Sequence, residues 1–288
     1  MLSVGNAEQK RQWMENNLQP YEIQKEDGTT SGLMTSYYEP EFDASLTKTD
    51  EFTAPLYAPP VDLSASKTWY SRSQIDSDNQ IQQELKPLAY VASPIDALIL
   101  QIQGSGKLRI EGAHGDSQSW YRLAFAGTNN QPYVSIGKWL IDRGVRANSW
   151  QDIKKWYDEH PQNQAEMLNI NPRYVFFSLK PIQDVDFNTG PVGAQGVALT
   201  AGRSVAVDTK RIPLGTPLWL STDGPALRLN KLVIAQDTGG AIIGPVRVDY
   251  FYGSGEAAGE AAGKVGYLMS PPERISVIHA IFTDMAIA

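Results

Sequence analysis

The chain has 288 residues, more than one domain of ordinary size needs and enough for two. Hydrophobic residues make up 42% and charged residues 20%, which excludes disorder of the whole chain, and 25 basic against 32 acidic side chains (net −7) disfavour a nucleic-acid partner. The absence of cysteine excludes disulfides, thiolate metal sites and a Cys nucleophile, and three histidines leave little for a histidine triad or metal cluster.

In chain order, Met1 to Ala7 shows no signal-peptide pattern, and no run of about 18 apolar residues follows anywhere. Residues 6–18 read as a polar helix with Trp13, Met14 and Leu18 on one side. Near Glu39-Pro40 the sequence turns extended. Residues 97–103 (ALILQIQ), 107–111, 121–126 and 174–179 are short β-branched or aromatic runs and read as strands. Gln103-Gly104-Ser105-Gly106 then reads as a tight hairpin between the first two. Helical spacing marks residues 136–141, ended by Gly144, then 150–159 and 162–168, with Trp139, Trp150 and Trp156 as core residues. Residues 181–191 read as a connector. Strands follow at 196–200, 204–207, 217–221, 231–236, 247–252 and 274–282, with an alanine-rich helix at 255–263. Strands so spaced, with turns between, argue for a barrel or sandwich.

Residues 201–253 hold the densest chemistry. Asp208, Asp237 and Asp249 each stand at or just past the end of an apolar run. Asp208 precedes Ile212-Pro213-Leu214-Gly215, which fits a type I turn with Pro at its second position. Asp237 precedes the pair Gly239-Gly240, which would let the backbone approach a ligand closely. Asp249 lies between Val248 and Tyr250, surroundings that raise a carboxyl pKa as a general acid requires. Aspartates at strand ends ordinarily cap turns, so only one of the three is expected to carry chemistry. With abundant Tyr and Trp, this kit suits a neutral polymer such as a glycan.

This window resembles the three-aspartate, double-psi β-barrel domain of the membrane-bound lytic transglycosylase A family. The resemblance extends upstream through Ser36-Tyr37-Tyr38-Glu39-Pro40, Leu56-Tyr57-Ala58-Pro59-Pro60, Gln103-Gly104-Ser105-Gly106, residues 135–144 and Val175-Phe176-Phe177. It covers most of residues 32–263, with a shorter segment between Asp208 and Asp237 that implies a trimmed hairpin.

The resemblance implies a mainly β protein with few short helices. A double-psi barrel would comprise residues 1–40 and 183–288. A second β-rich domain, 41–182, would be inserted into it, with a glycan groove between them. It implies cleavage between N-acetylmuramic acid and N-acetylglucosamine in peptidoglycan, leaving 1,6-anhydromuramoyl ends. Asp249 matches the catalytic position, and Asp237 and Asp208 the supporting acids. If close, Asp237 would raise the pKa of Asp249 by like-charge repulsion. Tyr37, Tyr38, Glu39, Gln103, Gly104, Ser105, Gly106, Gly239, Gly240 and Tyr250 are the expected substrate contacts. The expected partner is the peptidoglycan glycan strand, handled by a monomer without metal, cofactor or nucleic acid. The implied location is the periplasmic face of the outer membrane, through a lipidated cysteine that this chain does not contain. The alternatives are a β-1,4-glycan hydrolase on the same barrel and a non-catalytic glycan-binding module.

Overall fold

The computed structural model describes residues 5–111, 119–147, 149–222, 228–266 and 274–282, with only the backbone of Ala7, 264–266 and 274–282. The elements begin with α1 (Ala7–Asn17), β1 (Gln19–Glu22), β2 (Gly32–Glu39), β3 (Glu41–Ser45), β4 (Ala54–Tyr57), α2 (Arg72–Ser77) and α3 (Asn79–Glu84). Then come β5 (Pro87–Val91), α4 (Pro94–Gln103), β6 (Ser105–Ile110), β7 (Ser119–Thr128), α5 (Ile136–Ile141), α6 (Trp150–Glu159), α7 (Gln164–Asn169) and β8 (Val175–Pro181). The last are β9 (Ser204–Val207), β10 (Pro217–Thr222), β11 (Asn230–Asp237), β12 (Arg247–Ser254), α8 (Glu256–Gly266) and β13 (Arg274–Phe282). Two compact units emerge: Met1–Thr35, Gly193–Phe251 and Met269–Ala288 form one, and Ser36–Val192 with Tyr252–Leu268 the other.

The first unit is built on a closed sheet. Its strands run β13-β10-β11-β9-β12-β2, and β2 returns to β13, so six strands complete a ring. β13 meets β2 with its first residues (Arg274 opposite Leu33) and β1 with its last (Phe282 opposite Gln19). All four residues of β9 are buried. Along β10, Leu218 and Leu220 face inward while Trp219 is exposed, the alternation that one buried face demands. Where β2 begins, a Cβ on Gly32 would lie 1.8 Å from the Val246 carbonyl oxygen, so only glycine fits.

The second unit is a six-stranded sheet, β4-β5-β3-β6-β7-β8, antiparallel except for the β3–β6 pair. Leu56, Val91, Leu100, Leu108, Leu123 and Phe177 form its sheet-side core. A helical layer adds Leu98, Ile99, Trp139, Trp150 and Ile153, so those two tryptophans are core residues as their spacing indicates, with Trp156 packed partly buried against them.

Four local expectations are corrected. ALILQIQ is not a strand but most of helix α4, started by Ser93 and Pro94 and ended by Gly104 at φ 79°. Residues Ile95 to Gln101 are all buried because α4 lies between two cores: Ala97 and Leu100 face the sheet, while Ile95, Leu98 and Ile99 face the helices. Burial on both sides erases the amphipathic signal, leaving an apolar run that imitates a buried strand. The QGSG segment is therefore a helix stop leading into β6 rather than a hairpin. Residues 196–200 form no strand: Gly193 N–H donates to the Val197 carbonyl and Gly196 has φ 81°, making a turn. The Pro-Leu-Gly turn sits one residue later than expected, with Thr216 N–H donating to the Pro213 carbonyl and Gly215 third at φ 89°. A positive φ at that position excludes type I. The tip of the β10–β11 connection, where a trimmed hairpin is expected, lies outside the described residues.

Candidate active site

The registers of three barrel strands set the site. Asp249 on β12 stands opposite Ala206 on β9, and Ala206 stands opposite Asp237 on β11. The two acids therefore flank one small residue on a single rung, about two strand spacings (~10 Å between Cα atoms) apart. Asp237 reaches that rung through a bulge. Ala235 pairs with Val205, and the next pair joins Asp237 to Ala206, so Gln236 is the extra residue. Without it Gln236 would occupy the rung, and a bulge commonly re-aims a side chain in this way.

Asp249 is held from two neighbouring positions. Thr35 Oγ1 on β2 donates to Asp249 Oδ1 at 2.7 Å, and Arg247 Nη2 donates to Thr35 Oγ1 at 2.9 Å. Arg247 lies two residues before Asp249 and so shares its strand face. Because the guanidinium cannot accept a hydrogen bond, the Thr35 hydroxyl proton is directed onto Asp249. That leaves Oδ2 to carry the carboxyl proton. Burial pushes Asp249 above the usual carboxylate range, Arg247 and then the Thr35 hydrogen bond pull it down, and Asp237 adds a smaller upward push. Neither Thr35 nor Arg247 was anticipated. The alternation of Arg-Val-Asp on a strand was the available signal for Arg247. Thr35 required the pairing of β2 with β12.

The other two acids brace backbone. Asp208 accepts from the amides of Lys210 at 3.0 Å and Gly244 at 2.8 Å, and these bonds hold its carboxyl below the usual range. It thereby secures the 239–244 loop that carries Gly239, half-buried, and Gly240, exposed. Asp237 Oδ1 accepts from the Ala194 amide at 3.0 Å. Tyr250 points to the opposite strand face from Asp249. It is buried, donates to the Gly202 carbonyl at 2.9 Å and accepts from Lys231 Nζ at 3.2 Å.

The remaining expected contacts lie in the second unit. Tyr37 and Tyr38 are half-buried, and the Tyr38 ring lies where a Cβ on Gly259 would meet it at 2.8 Å. Burial raises the Tyr38 hydroxyl pKa to about 12. The Tyr38 amide donates to Gln103 Oε1 at 3.0 Å. Ser105 and Gly106 are buried at the start of β6, and a Cβ on Gly106 would strike Leu100 at 2.2 Å. Glu39 is fully buried in an ion cluster. It accepts from Arg122 Nε at 2.9 Å and Ser254 Oγ at 2.6 Å, while Lys107 pairs with Glu41 at 3.1 Å. Burial raises the Glu39 pKa against the pull of Ser254, Arg122 and Lys107.

The profile of the MltA specific insert domain matches residues 33–178, and that of the 3D domain matches residues 203–269. The membrane-bound lytic murein transglycosylase A of Escherichia coli K12 is 32% identical over 272 residues, covering 90% of this chain and 69% of that protein. The chain belongs to the membrane-bound lytic murein transglycosylase A family. The Vibrio cholerae O1 member is 33% identical over 242 residues, 80% of this chain, and this chain spans only 62% of that relative's length. The crystal structure of the E. coli member with bound chitohexaose superimposes with a TM-score of 0.74 at 29% identity, covering 98% of this chain and 79% of that one. As the family leads one to expect, the chain is mainly β, with a barrel and a second β-rich unit. Relatives carry the name membrane-bound; among the described residues of this chain no helix is long and apolar enough to cross a membrane.

Proposed function

We propose that this chain cleaves the β-1,4 bond between N-acetylmuramic acid and N-acetylglucosamine of peptidoglycan by intramolecular transglycosylation. The observation that carries the reading is the environment of Asp249. It is a carboxyl raised by burial, with Thr35 on one oxygen and the other available for a proton. Family membership and the chitohexaose bound by a relative support a β-1,4-linked amino-sugar substrate.

Ordinary glycosidases need two carboxyl groups, one to protonate the leaving oxygen and one to attack carbon or activate water. A muramoyl residue carries its own nucleophile in the C6 hydroxyl, and tethering supplies the effective molarity a second group would otherwise provide. Protonated Asp249 donates to the glucosamine O4 as the C1–O4 bond breaks. The resulting carboxylate takes the C6 hydroxyl proton as O6 bonds to C1, which restores the acid without water. Asp237 supplies negative charge on the same rung, and Asp208 holds the Gly239-Gly240 loop. Tyr37, Tyr38, Gln103 and Gly104 remain proposed contacts of the glycan, whereas Ser105 and Gly106 are buried in the sheet, and the cell envelope, facing the periplasm, is the proposed place of action. Mass analysis of digested sugar strands tests it. Ends lacking the elements of water are expected, and reducing ends that have gained water would replace this reading with a hydrolase.

A further inference from the structure

One cleft lies wholly within the barrel unit and shares Arg247 with the site above. Its volume is about 840 Å³. Lys25, Thr29, Ser31, Leu33, Ile243 and Arg247 are among the residues that line it. Leu33 and Arg247 each stand two residues before Thr35 and Asp249 on their strands. The cleft therefore begins about 7 Å from the acid, on the same strand faces.

Its chemistry is cationic over an apolar floor. Two of the lining residues are basic and none is acidic, in a chain of net charge −7. Asp249 attracts Arg247, and the other nearby acids are engaged elsewhere. Glu26 pairs with Arg211 at 3.2 Å, Asp27 accepts from the Thr29 amide at 2.9 Å, and Asp208 accepts from the Gly244 and Lys210 amides. Lys25 is fixed at the base of a tight turn. Its amide donates to the Thr29 carbonyl and its carbonyl accepts from Gly28, which has φ 78°. Ile243 is 75% exposed at the rim, an apolar side chain offered to a ligand rather than to the core.

A bare amino-sugar chain is neutral and would leave the exposed charge of Lys25 unused. Muramic acid, however, bears a lactyl-linked peptide with free carboxylates and small apolar side chains. We propose that this cleft binds the carboxylate-bearing peptide of the muramoyl residue, Lys25 and Arg247 supplying the positive field and Leu33 and Ile243 the apolar contact. The assignment rests on the transglycosylase reading and extends it from the glycan to the peptide.

The test compares KM on peptide-bearing sugar strands with KM on strands stripped of peptide by an amidase. In Lys25→Glu the ratio of the two values is expected to rise roughly fivefold, the size of one exposed charge interaction. Ile243→Asp, at the exposed rim, is expected to raise the same ratio. An unchanged ratio in either variant, with anhydro ends still formed, overturns the peptide assignment alone. If the unaltered protein forms anhydro ends from neither substrate, the transglycosylase reading falls and this assignment with it.

Discussion

At the scale of single residues, Asp249 is placed where its ionised form is disfavoured. Its folded pKa is raised, so the folded state holds the proton more tightly than the unfolded chain. The stability this contributes is fully present below the ordinary aspartate pKa and is lost as pH rises through the raised value. Asp249→Asn should therefore lower kcat by about 10²–10⁴-fold, the range of a lost general acid. It should also raise Tm at neutral pH, with the gain vanishing in acid; calorimetry at two pH values checks this. Thr35 stabilises the carboxylate, so Thr35→Val should lower kcat about 10- to 100-fold and move the alkaline limb of the rate profile upward, while Thr35→Ser restores both. A purely structural threonine would leave the limb in place. The three aspartates could be read from the chain because acids after apolar runs are visible locally. The apolar flanks of Asp249 and the family resemblance single it out, but which amides Asp208 and Asp237 meet could not be read, since that depends on pairings across the fold.

Among the elements, the buried ion cluster of the second unit is the most exacting. Arg122 is the charged partner of a fully buried Glu39 and also donates to the Thr189 carbonyl at 2.7 Å. Arg122→Ala leaves that carboxylate unpaired and should destabilise the protein by about 3–5 kcal/mol. Combining Arg122→Met with Glu39→Gln should recover much of the loss, which chemical denaturation can measure. Helices α5 and α6 and strands β9 and β13 fall on the residues their patterns indicate. Those patterns survive because each element keeps its own period or is bounded by strong turn residues. α4 was hidden by burial on both sides. Apart from the extended stretch near Glu39-Pro40, β1 to β5 leave no strand signal, because partners distant in sequence hold them: β3, for instance, pairs with β6 through Phe42 and Leu108. Gln236 shows the same limit, since a bulge leaves no mark in the sequence.

For the whole molecule, the chain leaves the barrel unit after Thr35, returns at Gly193, leaves again after Phe251 and returns at Met269. The sequence changes character near the first two of these crossings, at Glu39-Pro40 and through residues 181–191, and not near the other two. The assignment of α8 to the second unit follows from contacts such as Ser36 Oγ donating to the Ala262 carbonyl at 2.7 Å. What the chain does show from end to end is its mainly β character, carried by short runs separated by turns.

The ring closure through β13 has a consequence in time. Gln19 pairs with Phe282, about 260 residues later, and Leu33 with Arg274. During synthesis the first two strands must wait, edges open, until almost the whole chain has emerged. All six strands of the second sheet are complete by Pro181. Closing loops of such length is slow. In refolding followed by pulsed hydrogen exchange, amides of β6 and β7 should gain protection before those of β1 and β2. Simultaneous protection would mean that the barrel does not depend on its last strand. The order of assembly is thus written into one pairing: a finished six-stranded sheet first, and then a barrel that β13 locks.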